Sequence, residues 1–404
     1  MNDSRFLREE VYAASRRPVE DALSLTPDAY RDDAFYRAEQ QQVFARNWVA
    51  VAPKAEVAAA GDIITAEVAG QSLIIVCDDD GALRAFYNVC RHRGTRLCQK
   101  KAAKQKRIVC PYHGWGYNLQ GECIGTPLFD KGANRRAIEM HDMSHLRGFD
   151  RKDYGLLPVR AASWGGMVFV CLDDSAPPIA DMLGDLPKRL AAYDLDKWLP
   201  VGTRDYDIKC NWKLLLENAV EYYHLPWVHP RLAKTSRVSD HKRWQGRGMY
   251  CGICTSPVTA TDDSGWLNMP PVAGLSDAQQ NSGYFFGLFP NLIYFVMPSH
   301  AFVILATPQA AGQTREKAWL ITHPDTAAAA PKNAISDVME FWHEVNMEDV
   351  GICERVQLGV STAAYPGGRL CYHFEEPVHR FQQMIIDSMT GKRRIPSGDG
   401  GGGN

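Results

Sequence analysis

The spacing of apolar residues changes character twice along the chain. Residues 1–40 are polar, with their apolar positions at helical intervals, and DDAFYRAEQQQVFARNWVAVA (32–52) reads as a helix running into a first strand. From about Asp62 the texture shifts to short runs rich in β-branched and aromatic residues, among them DIITAEVAG, SLIIVCDDDG, LRAFYNVC and GLLPVRAASWGGMVFVCL. Gly and Asp/Asn turn signals separate them, which predicts a small all-β domain ending near Leu172. The Pro-rich DDSAPPIAD (173–181) marks a boundary. Beyond it, ADMLGDLPKRLAAYDLD (180–196) and NWKLLLENAVEYYHL (211–225) have helical spacing, while GYFFGLFPNLIYFVM, AFVILATPQA and EKAWLITHPD read as successive antiparallel strands. ISDVMEFWHEVNMEDVGICERVQLGV (335–360) is the longest amphipathic pattern. The predicted class is α+β: a helical segment over 1–44 packed on the second domain, an all-β domain over 45–172, an antiparallel sheet covered by helices over 173–390, and a flexible tail over 391–404.

Composition narrows the class without naming a partner. The 404 residues suffice for two or three domains. Lys+Arg (45) and Asp+Glu (47) nearly cancel, so no global charge speaks for nucleic acid or a membrane surface. The first residues lack the apolar core of a signal peptide, and no apolar run approaches a membrane span. A cytoplasmic protein is expected. Eleven cysteines, an odd number without framework spacing, favour reduced thiols and metal ligation over disulfides.

Four of the reactive residues form a spaced set. Cys90-x-His92 is followed, after seventeen intervening residues, by Cys110-x-x-His113. A tetrahedral zinc site uses the same donors, but zinc fingers place the two cysteines first and the two histidines second. Here each loop brings one of each, so each can give a thiolate to one iron and an imidazole to the other, as a Rieske [2Fe–2S] centre requires.

A second set lies in NWKLLLENAVEYYHLPWVHP (211–230). On an unbroken helix His224 and His229 would diverge by about 140°. Pro226 breaks the helix just after His224 and allows the imidazoles to converge. Two such histidines need a carboxylate to complete the 2-His-1-carboxylate triad of non-heme Fe(II). Phe341, Trp342, Val345, Ile352, Cys353, Val356 and Val360 share one side of the late helix, and Asp349 falls nearer the middle of that stripe than Glu348, which stays open as an alternative. Glu221, three residues before His224, is placed to orient it on a helix.

The pattern C-x-H-R-G with C-P-Y-H-G-W strongly resembles the Rieske domain of the Rieske non-heme iron oxygenases, and "NWK", "EN", the two histidines and EDVGICERVQLG resemble that family's iron motif and late helix. The resemblance runs over roughly residues 40–385. It implies Cys90, His92, Cys110 and His113 as cluster ligands, with Gly94, Gly114 and Trp115 closing over the cluster. It implies His224, His229 and Asp349 as iron ligands, and Glu221 as the acid that links an iron-bound histidine to a Rieske histidine of a neighbouring subunit. The commonest family residue at that position is Asp; members with Glu include oxygenases of carnitine and betaines, which hints at a quaternary ammonium substrate. The implied activity is O2-dependent hydroxylation or oxidative demethylation of a small molecule, with NAD(P)H electrons delivered by a reductase, with or without a ferredoxin, in a homotrimer. An aromatic ring cis-dihydroxylating dioxygenase is the alternative, and a Rieske electron carrier with a non-catalytic second domain is the alternative of another class.

Other features are expected to be structural. Cys98 reads as a buried thiol, HDMSH (His141, His145) as surface or scaffold, and CGIC (251–254) as packing, since no thioredoxin-like βαβ context surrounds it. The insert QKKAAKQKR (99–107) is either a solvated loop or a docking patch for an acidic electron donor. Tyr284, Phe285, Phe286, Phe289, Tyr294 and Phe295 are expected in the core, with the group compatible with a pocket for an aromatic ring or a quaternary ammonium. No Gly-rich dinucleotide fingerprint is present, so nicotinamide chemistry belongs to another chain.

Overall fold

The β-branched runs after Asp62 become antiparallel strands whose alternate residues point into one core. The computed structural model describes residues 4–127, 129, 148–258 and 268–398, which divide into two units: Val51–Ser163 with Met167–Ser175, and Met1–Ala50 with Trp164–Gly166 and Ala176–Asn404. Strands β1 (Val49–Pro53), β2 (Ile63–Val68), β3 (Gln71–Cys77), β4 (Leu83–Tyr87), β8 (Pro158–Trp164) and β9 (Met167–Cys171) form a sheet of order β1-β9-β8-β4-β3-β2. A second sheet joins β5 (Ile108–Val109), β6 (Gly116–Tyr117) and β7 (Cys123–Gly125). Ile63, Ile74, Val76 and Phe86 pack with Trp115 and Tyr117 in one cluster that also takes in Cys90 and Cys110.

The other unit is built on a seven-stranded antiparallel sheet, β10 (Leu199–Ile208), β16 (Gln313–Thr322), β15 (Ala301–Ala310), β14 (Leu292–Val296), β13 (Gly283–Leu288), β12 (Tyr250–Thr255) and β11 (His241–Arg243), in that order. Every residue of β14 is buried, which explains why GYFFGL and LIYFV are almost wholly apolar instead of alternating. Register pairs Phe285 with Phe295 and Phe295 with Phe302 on one face, and Phe286 with Tyr294 on the other.

Helices α1 (Asp33–Glu39), α2 (Trp212–Ala219), α3 (Leu225–Val228), α4 (Ala334–Val360) and α5 (Tyr372–Met389) complete the site-bearing framework. Asn211 caps α2, its side chain accepting from the Lys213 amide at 3.0 Å. The structure differs from expectation in three places. Residues 180–196 do not form one helix: Gly184, at φ +57°, ends the first short helix, and a Cβ there would lie 1.8 Å from the Arg247 carbonyl oxygen. Helix α2 stops at Ala219, so the break precedes Glu221 and His224 instead of following them. Pro226 sits in the first turn of α3, where a missing N–H costs nothing. Val356 is 41% exposed although the apolar stripe of α4 predicted it inside.

Between α1 and α2, Lys213 and Glu39 form a fully buried ion pair, with the Trp212 indole N–H donating to Glu39 Oε2 at 3.3 Å. The ammonium also lies 5.2–5.5 Å from the ring centroids of Tyr30, Phe35 and Trp212. Lys213→Ala strands a carboxylate with no counter-charge, and chemical denaturation should show a loss of about 3–5 kcal/mol.

Candidate metal centres and substrate cavity

In the first unit two loops repeat one local design. The Cys90 amide donates to the Thr95 carbonyl at 2.8 Å and the Gly94 amide to the Cys90 carbonyl at 3.0 Å; the Cys110 amide donates to Trp115 at 2.8 Å and Gly114 to Cys110 at 3.0 Å. Gly94 and Gly114 close these turns at φ +73° and +72°, a conformation that favours glycine. Both thiols are buried, and His92 Nδ1 and His113 Nδ1 meet at 3.1 Å, with Trp115 stacked on the His92 ring at 4.9 Å. Burial pushes the Cys110 thiol up, but the amides of Tyr112 and His113, with Cys90 and Thr95, bring it below its ordinary value. Burial pushes Cys90 up, against the Tyr117 hydroxyl 3.3 Å from its sulfur. Two neutral imidazoles can share only one proton between facing nitrogens. A cluster that takes both nitrogens and both sulfurs satisfies all four donors, so the residues fit a Rieske centre.

The second constellation sits where α2, α3 and α4 meet the sheet. Beyond Ala219 the chain turns, and the Glu221 carboxylate accepts from the amides of Tyr223 and His224 as well as from His224 Nδ1. The Glu221–His224 contact therefore comes from a turn, not from one helix face as expected. His224 then caps α3, whose single turn delivers His229 on its far side, with the ring centroids 5.1 Å apart. His229 Nε2 lies 2.8 Å and His224 Nε2 3.5 Å from the same oxygen, Asp349 Oδ1 of α4. Glu348, the open alternative, faces elsewhere: its Oε2 accepts from His229 Nδ1 at 2.7 Å. Each Nδ1 is thus held by its own carboxylate, Glu221 or Glu348, while both Nε2 atoms turn to Asp349. Such pairing fixes tautomer and ring orientation in metal-binding histidines.

Burial disfavours charge on both imidazoles, yet the carboxylates outweigh it. Glu221 and Asp349 raise His224, and Asp349 and Glu348 hold His229 at about 9. The pocket stabilises positive charge, which is the electrostatic requirement for a divalent cation, and the ligand atoms of His224, His229 and Asp349 all lie within 4.8 Å of one another. The donor set fits mononuclear iron.

A small cavity opens beside these atoms. Phe285, Phe295 and Trp342 line one side, and Asn218, Ser236 and His241 contribute polar groups. Phe285 and Phe295 were among the aromatics expected inside; Ser236, His241 and the Glu348 contact left no trace in sequence pattern.

The remaining expectations fall as follows. Cys98 is a partly buried free thiol, Cys251 and Cys254 are buried free thiols on opposite faces of β12, and His141 and His145 lie outside the described residues. In the insert, Ala102 pairs with Ile63 of β2 through two backbone hydrogen bonds of 2.8 and 2.9 Å, so the loop is anchored while Lys100, Lys101, Lys104, Lys106 and Arg107 are exposed. Reversing Lys100 and Lys104 to Glu is expected to slow cluster reduction by an acidic donor roughly tenfold at low salt, with the difference vanishing at high salt, in stopped-flow absorbance.

Comparison with known proteins agrees with this geometry. Residues 47–141 match the Rieske [2Fe-2S] domain, and residues 195–391 match the ring hydroxylating alpha subunit (catalytic domain). The glycine betaine monooxygenase oxygenase subunit of Pseudomonas aeruginosa is 27% identical over 92% of this chain and 90% of its own length. The carnitine monooxygenase oxygenase subunit of Acinetobacter pittii is 27% identical over 84% and 86%. Among solved structures, a quaternary ammonium Rieske monooxygenase, reported for carnitine oxidation and inter-subunit electron transfer, aligns with a TM-score of 0.76 at 23% identity over 95% of this chain and 98% of its own. Naphthalene 1,2-dioxygenase aligns at 0.73 and 21% over 96% and 95%, so the two share the fold. No helix among the described residues is long and apolar enough to cross a membrane. The cofactors are a Rieske [2Fe–2S] cluster and mononuclear iron, with O2 as co-substrate and NAD(P)H electrons supplied through a separate reductase. The chain belongs to the Rieske non-heme iron oxygenases, as the terminal oxygenase (alpha) component of a multicomponent system.

Proposed function

We propose that this oxygenase hydroxylates or oxidatively demethylates a small quaternary ammonium compound. His224, His229 and Asp349 hold the iron; Cys90, His92, Cys110 and His113 hold the cluster; Glu221 carries the link between a cluster histidine of one subunit and His224 of the next in a homotrimer. The observation that supports the iron assignment most directly is the convergence of both Nε2 atoms on Asp349 while Glu221 and Glu348 occupy both Nδ1 atoms. When bound, the cluster supplies one-electron transfer and the iron supplies O2 activation. The chain's own residues do the rest. Glu221 and Glu348 set the direction of the two imidazoles, buried Phe285 and Phe295 keep water from one side of the cavity, and the rings of Phe285, Phe295 and Trp342 offer π faces to an N-methyl cation. The named relatives that act on glycine betaine and carnitine, together with Glu at position 221, support the substrate class.

The same aromatic side chains are equally suited to contact a planar ring, which makes cis-dihydroxylation the second reading. The deciding experiment incubates the holoenzyme, a surrogate reductase and NADH with trimethylammonium compounds and with small aromatics. Formaldehyde or a singly oxygenated product from the former supports the proposal, and a cis-diol from the latter alone overturns it. Glu348→Ala should lower iron affinity by roughly 10–100-fold, read as iron retained after graded chelator dialysis, while the cluster absorbance is kept.

A further inference from the structure

One wall of the cavity beside the iron ligands is held by a residue that does not line it. Trp342 of α4 borders the cavity together with Phe285 of β13 and Phe295 of β14. Hydrocarbon rings pack around its indole: Phe302 lies nearly parallel to it at 5.9 Å, and the centroids of Phe341, Phe295 and Phe285 lie at 5.3, 5.4 and 6.3 Å. Such neighbours hold a flat ring in its plane, but they do not tell its N–H edge from its C–H edges. The outer torsion of a Trp side chain is broad and roughly two-fold, so this packing by itself leaves two orientations open. One of them strands a buried N–H among phenyl rings.

His300 removes the ambiguity. It sits on the turn between β14 and β15, fully buried, and its Nε2 accepts the Trp342 indole N–H at 2.8 Å. An accepting Nε2 places the imidazole proton on Nδ1, which faces Ser299 Oγ at 2.9 Å. Burial pushes the imidazole down to about 3, so it stays a neutral acceptor at neutral pH; a protonated ring would set N–H against N–H. The acceptor is itself anchored. The His300 carbonyl accepts from the Met297 amide at 2.8 Å, and the Ser299 carbonyl accepts from the Thr322 hydroxyl of β16 at 2.6 Å. His300 is not among the described residues that line the cavity, so the bond draws the indole N–H edge out of it and leaves carbon surface toward it.

We propose that His300 is a positioning residue for the oxygenase: by accepting the indole N–H it fixes Trp342 in the orientation that gives the cavity a hydrocarbon wall, and so sets how tightly substrate is held beside the iron ligands. The inference rests on the reading of this cavity as the substrate site. Aromatic carbon attracts an N-methyl cation and packs against a planar ring, so the wall serves either substrate class.

The test compares His300→Leu, which offers no acceptor, with His300→Gln, whose amide oxygen can take the same N–H. The full-length, metal-loaded oxygenase is labelled with 5-fluorotryptophan, and the Trp342 fluorine signal is assigned by its loss in Trp342→Phe. Choline, glycine betaine and toluene are the probes for turnover, with a surrogate reductase. His300→Leu is expected to shift or split the Trp342 signal and to raise KM about tenfold while kcat stays within about threefold. His300→Gln is expected to return both toward the parent values, with iron and cluster content equal in all. A Trp342 signal that is single and unshifted in His300→Leu, or an unchanged KM, overturns the proposal; so does a loss that His300→Gln fails to recover, which assigns His300 to folding alone. Should His300→Leu not fold, His300→Met, closer in volume, takes its place with the same expected and overturning results. Oxidation of toluene alone removes the quaternary ammonium reading and leaves the role of His300 to be judged on that substrate. Oxidation of none of the three removes the proposed function, and the fluorine signal then decides: a shifted Trp342 supports the role of His300 and an unshifted one overturns it.

Discussion

Asp349→Ala is expected to take the iron content from about three atoms per chain to about two and to abolish oxygenation, while the cluster spectrum stays unchanged. The reason is geometric. Asp349 Oδ1 is the point that both His224 Nε2 and His229 Nε2 approach, at 3.5 and 2.8 Å, while Glu221 and Glu348 lie on the Nδ1 sides of the two rings. Glu348, its neighbour, is committed to the opposite nitrogen of His229 and is 42% exposed at the side chain. Removal of Asp349 leaves two imidazoles, which hold ferrous iron poorly without an anionic oxygen ligand. Metal analysis and the absorbance of the reduced and oxidised cluster check both halves of the expectation. Retention of three irons in the variant would move the third ligand elsewhere.

Replacing Glu221 with alanine separates electron delivery from metal binding. Its carboxylate accepts from His224 Nδ1 and from the backbone amides of Tyr223 and His224, so it sets the ring's direction without occupying Nε2. The variant is expected to keep most of both metals and to reduce its cluster at the normal rate. Transfer from the reduced cluster to the iron site should fall by about 100-fold or more, since the proposed hydrogen-bonded route ends at the missing carboxylate. Single-turnover measurement, with pre-reduced cluster and product quantified against cluster oxidation, reads this step directly. A Glu221→Asp variant distinguishes route from scaffold: it restores charge with a shorter reach, so partial recovery of transfer with unchanged iron content supports a role in the electron path. Normal turnover in Glu221→Ala would refute it.

Much of the fold was legible in the sequence because alternation and turn residues are local properties. The strands after Asp62, the Phe-rich strands of the second sheet and the long helix 334–360 are each specified by their own periodicity. The two Cys–His loops were legible for the same reason, since each carries its thiol, its imidazole and the glycine that closes its turn within five residues. Where propensity and packing disagreed, local reading failed. The run 180–196 has helical spacing, but Gly184 must pass against the Arg247 backbone, and the helix ends there. Helix α2 has no Pro or Gly at Ala219 to announce its end, and its break is set by the turn that Glu221 makes with the amides of residues 223 and 224.

By itself, the sequence determined the kinds of donor and their approximate grouping: two thiols and two imidazoles in matched loops, two histidines about a proline, an acid on a late apolar helix. Only the tertiary structure decided how these groups face one another. Asp349 and Glu348 are adjacent on one helix, and periodicity separates them weakly. Their roles diverge because His229, 119 positions away from Glu348 and 120 from Asp349, presents a different nitrogen to each. The aromatic side of the cavity is likewise a property of which side chains β13, β14 and α4 bring together, and no single element carries it. Distances between atoms far apart in the chain are set by packing, and packing is where this protein's specificity is written.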